Sequence, residues 1–560
     1  LEVGAPTFRR RIFEEVSTTK SDFEAARLLS ERNAVKNKRY ALRNKGYSEA
    51  GASHRKKALK GFTAQSGSPR EDIDWNNYTL RQRGRMLFMS TPIAKSAVTT
   101  NRTNVIGMGL QLKAKIDHVT LGMTPEAAAE WQRHTEAEFA LWANNKRACD
   151  ATGVNDFYSI QQLALTSWLT SGDCFVVMKQ YKPTPLMPYS LRLHVLEADR
   201  VRTPGKTVGV NTDGIAENGN MIYDGVEVDD NGAIVAYYVA NTYPYEISAR
   251  KPEEFIRVKA YGDKTGLPNI IQLMESERAD QYRGVSYLAP VIEPLLQLRR
   301  YTESELTAAN IEACFAAFIK TTESPADNPF NEVGWGDVDG MPGAASPDNQ
   351  VSHDPNEYEL GPGTVNIMEP GEDVTFADPK RPGSGFAGFV DAVSTQVGAA
   401  LEIPKELLMK AFTASYSASR AALLEAWKAF AMRRQWFTAD FCKPIYEIWL
   451  SEAVARGRIL APGFFTDPAI RAAYLGSKWI GPSQGMLDPT KEITAEIMAI
   501  NAGFSTHEQS TIKLNGGQWN DNVTQLAIEE RELEVAGLKN SNISIQIYTG
   551  DEGGKDGQTE

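Results

Sequence analysis

The stretch from Leu401 to Gly457 constrains this chain more than any other, because it predicts a short helix, a Ser/Tyr-rich loop and then one very long helix. Apolar residues recur at Leu423, Trp427, Phe430, Phe437, Phe441, Ile445 and Ile448, in steps of three, four or seven. From Ser419 to Arg456 such a helix spans about 55 Å at 1.5 Å per residue. Pro444 lies inside it, where the missing N–H and the ring predict a kink or a break. The aromatics sit at helical spacing, so they read as core rather than as a stacking surface for bases. A helix of this length behind a loop of small polar residues suits a chain that builds part of something larger.

The rest of the chain alternates between helical and strand patterns, an α+β composition. A helix from Arg81 to Asn104 is interrupted at Pro92, and a strand follows from Leu110 to Ile116. Thr124-Pro125-Glu126 opens the next helix with a capping hydroxyl, proline at the first position and an acid in the first turn. A helix from Ser159 to Ser171 ends at Gly172, and strands are expected at 174–178 and 191–196. Between 220 and 260, Asp224-Gly225 and Asn231-Gly232 mark hairpins. Pro290 and Pro294 start a helix that should reach Ile319. Beyond it, residues 321–381 are rich in Pro, Gly and Asp, with weak strands near 365–368 and 374–376. A helix from Phe386 to Leu401 leads into the opening block. Asp488-Pro489 and Asn522 begin two more helices, and the final twenty residues read as a tail.

Charge divides the chain. Net charge is −11, yet residues 1–60 carry 15 Lys and Arg against 7 Asp and Glu, while residues 321–380 carry 13 acids against Lys380 alone. The overall acidity argues against wrapping nucleic acid over the whole surface. No run approaches 18 apolar residues, so no membrane span is expected.

Nor does the sequence assemble an active site. Gly205-Lys206-Thr207 lacks the glycine five positions earlier that a phosphate loop needs, since Arg200 stands there. Cys149, Cys174, Cys314 and Cys442 are scattered, and His118, His134 and His194 have no partners at metal spacing, so no cofactor and no metal are expected. Asp224, Glu227, Asp229 and Asp230 alternate with Gly and Asn and read as exposed hairpin turns rather than as a cation site.

The segment before the long helix is different. Lys405, Lys410 and Arg420 accompany Ser415, Tyr416, Ser417 and Ser419. It can be an ordinary connection whose Ser417 or Ser419 caps the next helix. It can also be a polar finger that touches a phosphate backbone without reading bases. Charge so sparse cannot hold DNA tightly, but it can touch DNA that must keep moving.

Several stretches together carry a family resemblance. They are Arg81-Gln82-Arg83-Gly84-Arg85, Asn101-Arg102-Thr103-Asn104-Val105-Ile106-Gly107, Leu196-Glu197-Ala198-Asp199-Arg200 and Gly225-Val226-Glu227-Val228-Asp229. Further along come Gln281-Tyr282-Arg283-Gly284-Val285-Ser286, residues 415–425 and Asp488-Pro489-Thr490-Lys491-Glu492. In this order and spacing the chain, from about Trp75 to Leu538, resembles bacteriophage portal proteins of the lambda type.

The resemblance weakens over the basic N-terminal arm, residues 1–75, which is expected on the outer, capsid-facing side. It implies a mixed α/β wing over 76–288 and a two-helix stem over 289–320 and 382–403, with an acidic β-containing clip between them at 321–381. A tunnel loop over 404–418 would precede the long kinked helix and its return to the wing (419–480), and a helical crown with an acidic tail would close the chain (481–560). It further implies a non-enzymatic ring of twelve in the virion. Such a ring would pass double-stranded DNA non-specifically and dock the terminase large subunit, the major capsid protein and head–tail adaptor proteins. The DNA-facing residues would be Lys405, Lys410, Ser415, Tyr416, Ser417 and Arg420. The competing readings are a neck or tail connector without a packaging role and, more distantly, a capsid-maturation enzyme.

Overall fold

A computed structural model describes residues 21–33, 52–53, 56–64, 66–206, 212–246, 252–313, 317–320, 365–368, 385–412, 415–485 and 488–536. The chain divides into two compact units, residues 1–68 and 69–560. In the first, residues 21–33 form helix α1, every residue of which is exposed, and Lys57–Leu59 make a single 3-10 turn.

The second unit starts with a π-turn, Arg70–Asp74, that runs into α2 (Trp75–Ser90). The residue before a proline avoids the helical region, and Thr91 is accordingly extended (φ −115°, ψ 117°), so Pro92 opens a separate helix, α3 (Pro92–Val105). Strand β1 (Gln111–Ala114) follows. Thr124 then caps α4 (Pro125–Ala143) through its hydroxyl, which accepts from the Ala127 N–H at 3.3 Å. After the short α5 (Lys146–Cys149), Asp156 caps α6 (Phe157–Ser171), which stops at Gly172 with φ 92°.

Two antiparallel sheets come next. Strands β2 (Asp173–Gln180) and β3 (Leu191–Glu197) form a three-stranded sheet with the later β9 (Ile270–Met274), in the order β3-β2-β9. Between β3 and β9 a five-stranded meander runs β4 (Asp213–Ile215), β5 (Met221–Tyr223), β6 (Val226–Val228), β7 (Ile234–Ala240) and β8 (Phe255–Lys259). The β5–β6 turn has positive φ at both Asp224 (43°) and Gly225 (87°), as a two-residue hairpin with the right twist requires.

A 3-10 turn at Ala289–Val291 opens α7 (Ile292–Ala313). The helix expected to reach Ile319 therefore stops short. Ala317–Lys320 instead form β10, which pairs in parallel with β11 (Val365–Met368), so cross-strand pairing overrides the helical continuation. The expected strand at 374–376, most of the acidic insert and the C-terminal tail lie outside the described residues. Then come α8 (Phe386–Ala400), α9 (Lys405–Met409), α10 (Tyr416–Phe437), α11 (Lys443–Ala455) and α12 (Pro468–Tyr474). Strand β12 (Ser477–Ile480) pairs with β1, and α13 (Pro489–Asn501), α14 (His507–Asn515) and α15 (Trp519–Val535) follow. Asp488 caps α13 as expected, accepting from the Lys491 N–H. Helix α14 carries too short an apolar pattern to be read from the sequence.

Pro444 neither breaks the long helix nor ends it. Helices α10 and α11 join through a π-turn at Thr438–Cys442, in which the Lys443 N–H reaches back to the Thr438 carbonyl. A proline ring clashes with the carbonyl four residues earlier and cannot donate to it; widening one turn to an i→i−5 pattern accommodates both problems. The continuous helix runs from 416 to 455, about 60 Å at 1.5 Å per residue.

The core explains why that helix persists. Phe430, Phe437, Phe441, Ile445 and Trp449 are all at most 1% exposed. They enter an aromatic cluster in which Phe139 meets Trp449 edge-on at 5.0 Å, Phe157 lies 5.9 Å from Phe441, and Phe437 stacks on Phe441 at 4.8 Å. Each buried aromatic of this kind contributes about 1.5–3 kcal/mol. That outweighs the propensity penalty of one proline.

Candidate functional site

Two helices bracket the predicted finger, and both intrude on it. Pro404 leads into α9, which buries Leu408 and exposes Lys410 at its C-terminus in the left-handed region (φ 54°). Ser415 rather than Ser417 or Ser419 caps α10, its Oγ accepting from the Ala418 N–H at 3.4 Å. Both flanks of the 404–418 segment are thus helical, with α9 over Lys405–Met409 and α10 from Tyr416. The physical reason is that Leu408 and the Ser415 cap convert both flanks into helix.

The six predicted contact residues are chemically unequal. Lys405 begins α9 and its Nζ pairs with Asp391 of α8. The Arg420 Nη2 lies 3.3 Å from Glu492 Oε1 of α13. Both cations are already partly neutralised within the chain. Lys410 makes no ion pair among the described residues. Ser415 spends its oxygen on the cap. Tyr416 and Ser417 form the first turn of α10, and their side chains lie outside the described residues.

What holds this connection in place was not legible in the sequence. Arg433, 3% exposed on α10, donates to Asn101 Oδ1 of α3 at 3.0 Å and to Glu402 Oε2 at 2.6 Å, with its guanidinium 4.8 Å from the Tyr287 ring centre. Asn101 in turn donates to the Tyr287 hydroxyl at 3.2 Å, and that hydroxyl donates to the Leu401 carbonyl. The next residue, Arg434, caps the end of α3 by donating to the carbonyls of Asn104 (2.6 Å) and Val105 (2.9 Å); burial lowers its pKa to about 10. Asn101 belongs to one of the motifs quoted above. The sequence signal for the two arginines was only an adjacent Arg-Arg pair in the long helix.

Three of the other motifs, residues 81–85, 196–200 and 281–286, converge on a second place, a buried cluster of charges between the two β-sheets and α2, and the 225–229 motif follows directly on its Asp224. Arg283 is fully buried and reaches Asp173 with Nε (2.5 Å), Asp224 Oδ2 with Nη1 (2.8 Å) and the carbonyls of Val201 (2.9 Å) and Ala198 (3.0 Å). Arg81 pairs with Asp224 at 2.9 Å, and Arg85 with Asp199 at 2.7 Å. The neighbouring glycines let the chains approach. A Cβ on Gly284 would stand 1.9 Å from the Gly172 carbonyl oxygen.

This corrects the reading of Asp224 and Glu227 as exposed turn residues. Asp224 is 6% exposed and Glu227 is 0% exposed, Glu227 gripped by Arg257 at 2.6 Å and by Asn218 and Asn220. Asp229 does serve its turn, accepting from the N–H groups of Asn231 and Ala233, and Asp230 is exposed. Burial raises the Asp173 carboxyl, but Arg283 and Arg81 more than offset it and hold the group below the usual range. Asp74, beside the same cluster, is pushed up to about 7 by burial and by the charge of Asp224.

Among the described residues no group of His, Cys, Asp and Glu is arranged to hold a metal ion, and no helix is long and apolar enough to cross a membrane. The described cysteines, Cys149, Cys174 and Cys442, are buried free thiols. The chain thus offers a connection pinned between core helices and a mixed domain fastened by buried ions.

Comparison with known proteins gives this arrangement its context. The chain is 24% identical over 504 residues to portal protein B of Escherichia phage lambda, covering 86% of this chain and 90% of that one. It is 24% identical over 498 residues to the portal protein of Escherichia phage N15, covering 86% and 89%. A chain from the neck of a native gene transfer agent particle, computed with C12 symmetry, aligns at a TM-score of 0.35 and 14% identity over 78% of this chain and 93% of that one. The family described as phage portal protein, lambda family, matches residues 55–434, which takes in α2 to α9, most of α10 and both guanidinium anchors. The matched stretch contains the buried ion cluster and the anchors around Arg433, and the chain belongs to the lambda family of phage portal proteins.

Proposed function

We propose that this portal protein assembles as a ring of twelve at one capsid vertex and acts as a conduit for double-stranded DNA during packaging and ejection. It would dock the terminase large subunit on one side, head–tail adaptor proteins on the other, and the major capsid protein at its rim. Residues 76–288 serve as wing, α7 and α8 as stem, 321–381 as clip, 410–415 as the loop toward the DNA path, and the helices after 481 as crown. The basic arm before residue 69 faces the capsid.

The observation that carries this reading is α15. Its 17 residues include none that is buried, and Val523, Leu526 and Ile528 are 42–48% exposed. Most helical stability in proteins comes from packing an apolar face; a neighbouring copy supplies that packing. The charge supports it too. Twelve chains at −11 carry −132 formal charges, a ring that repels DNA broadly. Against that background a ring of Lys410 ammonium groups gives weak, sequence-blind contacts to phosphate.

Two measurements test the proposal. Electron micrographs of the purified protein should show closed rings with a channel of duplex width, and a stable monomer in native mass measurement would contradict it. Deleting residues 411–414 should impair DNA packaging or retention and leave rings intact; loss of the rings would make the connection structural instead.

A further inference from the structure

Four non-glycine residues among those described have positive φ: Asp224, Asp280, Glu402 and Lys410. Aspartate tolerates this region, whereas a glutamate or lysine there is unusual. Glu402 (φ 52°) and Lys410 (φ 54°) stand at either end of the five-residue helix α9. At Glu402 the backbone closes α8 in the manner that normally takes glycine: the Ile403 N–H donates to the Gly398 carbonyl at 2.9 Å and the Glu402 N–H to that of Ala399 at 3.4 Å. A Cβ on Gly398 would lie 2.6 Å from the Ile403 carbonyl oxygen, so the turn is tight.

A side chain that costs stability in such a turn is retained where something holds it. Here the holder is Arg433, whose guanidinium takes the Glu402 carboxylate at 2.6 Å while bonded to Asn101. A second tie fixes the far half of α9, the Ser96 hydroxyl donating to the Leu408 carbonyl at 2.7 Å. Beside the turn lies a cleft of about 540 Å³ between the end of α8 and α10, lined by Glu402, Lys405, Glu425 and Met432, which leaves room for α9 to shift.

We infer that Arg433 is a positioning residue: it latches α9, a short rigid piece between two left-handed joints, and so sets where the Lys410 end of the connection stands. The consequence for DNA rests on the function proposed above, whereas the latch itself is a property of the chain alone.

The test uses Glu402→Gln and Glu402→Gly in the full-length protein, read by amide hydrogen exchange with the wing strands as internal control. Glu402 is half-exposed, so neither variant threatens the core. Glu402→Gln loses the charge-assisted bond but keeps the unfavourable backbone, and exchange at 403–411 should rise roughly fivefold with β2 and β7 unchanged. Glu402→Gly removes both the bond and the backbone penalty, so its rise should be smaller. In an Arg433→Lys background, Glu402→Gln should add less than it does alone. Unchanged exchange at 403–411, or an equal rise across β2 and β7, overturns the latch. DNA packaging by Glu402→Gln reports separately: normal packaging by a variant whose exchange has risen keeps the latch and overturns the placement of the loop in the DNA path.

Discussion

Replacing Arg283 by methionine tests whether the buried charge cluster holds the mixed domain together. The substitution preserves much of the volume and removes the guanidinium. Asp173 is then left 0% exposed with Arg81 as its nearest cation, 4.0 Å away, and Asp224 keeps a single partner. The carbonyls of Val201 and Ala198 lose their Arg283 donors. Breaking a buried pair by removing one partner costs about 3–5 kcal/mol, because a charge remains in a poorly solvating place. Each orphaned carbonyl adds about 1–3 kcal/mol where water cannot reach it. Some of this is recovered if Asp173 takes up a proton, so about 5 kcal/mol is a reasonable floor. For a cooperative unit of about 200 residues, 1 kcal/mol shifts Tm by about 2–4 °C, which predicts a fall of about 10 °C or more. Thermal unfolding by near-ultraviolet circular dichroism, with hydrogen exchange across β2, β3 and β9, measures it. The variant should also gain stability as pH falls toward 5, since protonation relieves the stranded carboxylate. A fall of under about 3 °C, or no pH dependence, would refute the claim that this cluster is a keystone of the fold.

Two further outcomes are expected. Asp74, held near 7 rather than at 3.8, takes up a proton more readily folded than unfolded, so its burial weakens the fold progressively as pH rises from 3.8 to 7. Asp74→Asn should therefore raise Tm at pH 8, by at most about 4 kcal/mol of stability, with the gain shrinking as pH drops toward 4; a gain independent of pH would sink the assignment. Ser415→Ala should fray the first turn of α10 at a cost of about 1 kcal/mol, and Ser415→Asp should restore it, since aspartate caps equally well. If Ser415 instead served chiefly by donating to phosphate, Ser415→Asp would impair packaging at least as much as Ser415→Ala.

Local patterns were readable because their causes are local. The Thr124 cap, the turn at Asp224-Gly225 and the break at Pro92 each follow from one or two residues and their backbone preferences. The long helix was readable because its apolar stripe, Leu423 to Ile448, repeats over about seven turns. Pro444 misled only in degree: the sequence states that a hydrogen bond is lost, but a π-turn or a break depends on how firmly Phe437, Phe441 and Ile445 are gripped by neighbours.

The candidate segment was legible as a polar stretch before the long helix, but the partners of its cations were not. Lys405 and Arg420 look like free cations until Asp391 and Glu492 are folded against them. Arg433 lies 31 residues from Glu402 and 332 from Asn101, so no local pattern announces the latch.

The amino-acid order by itself therefore determined most helices, most strands, the uneven charge and, through its spaced motifs, the resemblance to the family. Tertiary structure alone decided which charges are buried. Asp224 and Glu227 sit in a stretch of Asp, Gly and Asn that any local reading sends to solvent, and only arginines from three other segments turn them into core. Burial of a charge depends on partners brought from far along the chain, and that information is written in the fold rather than in neighbouring residues.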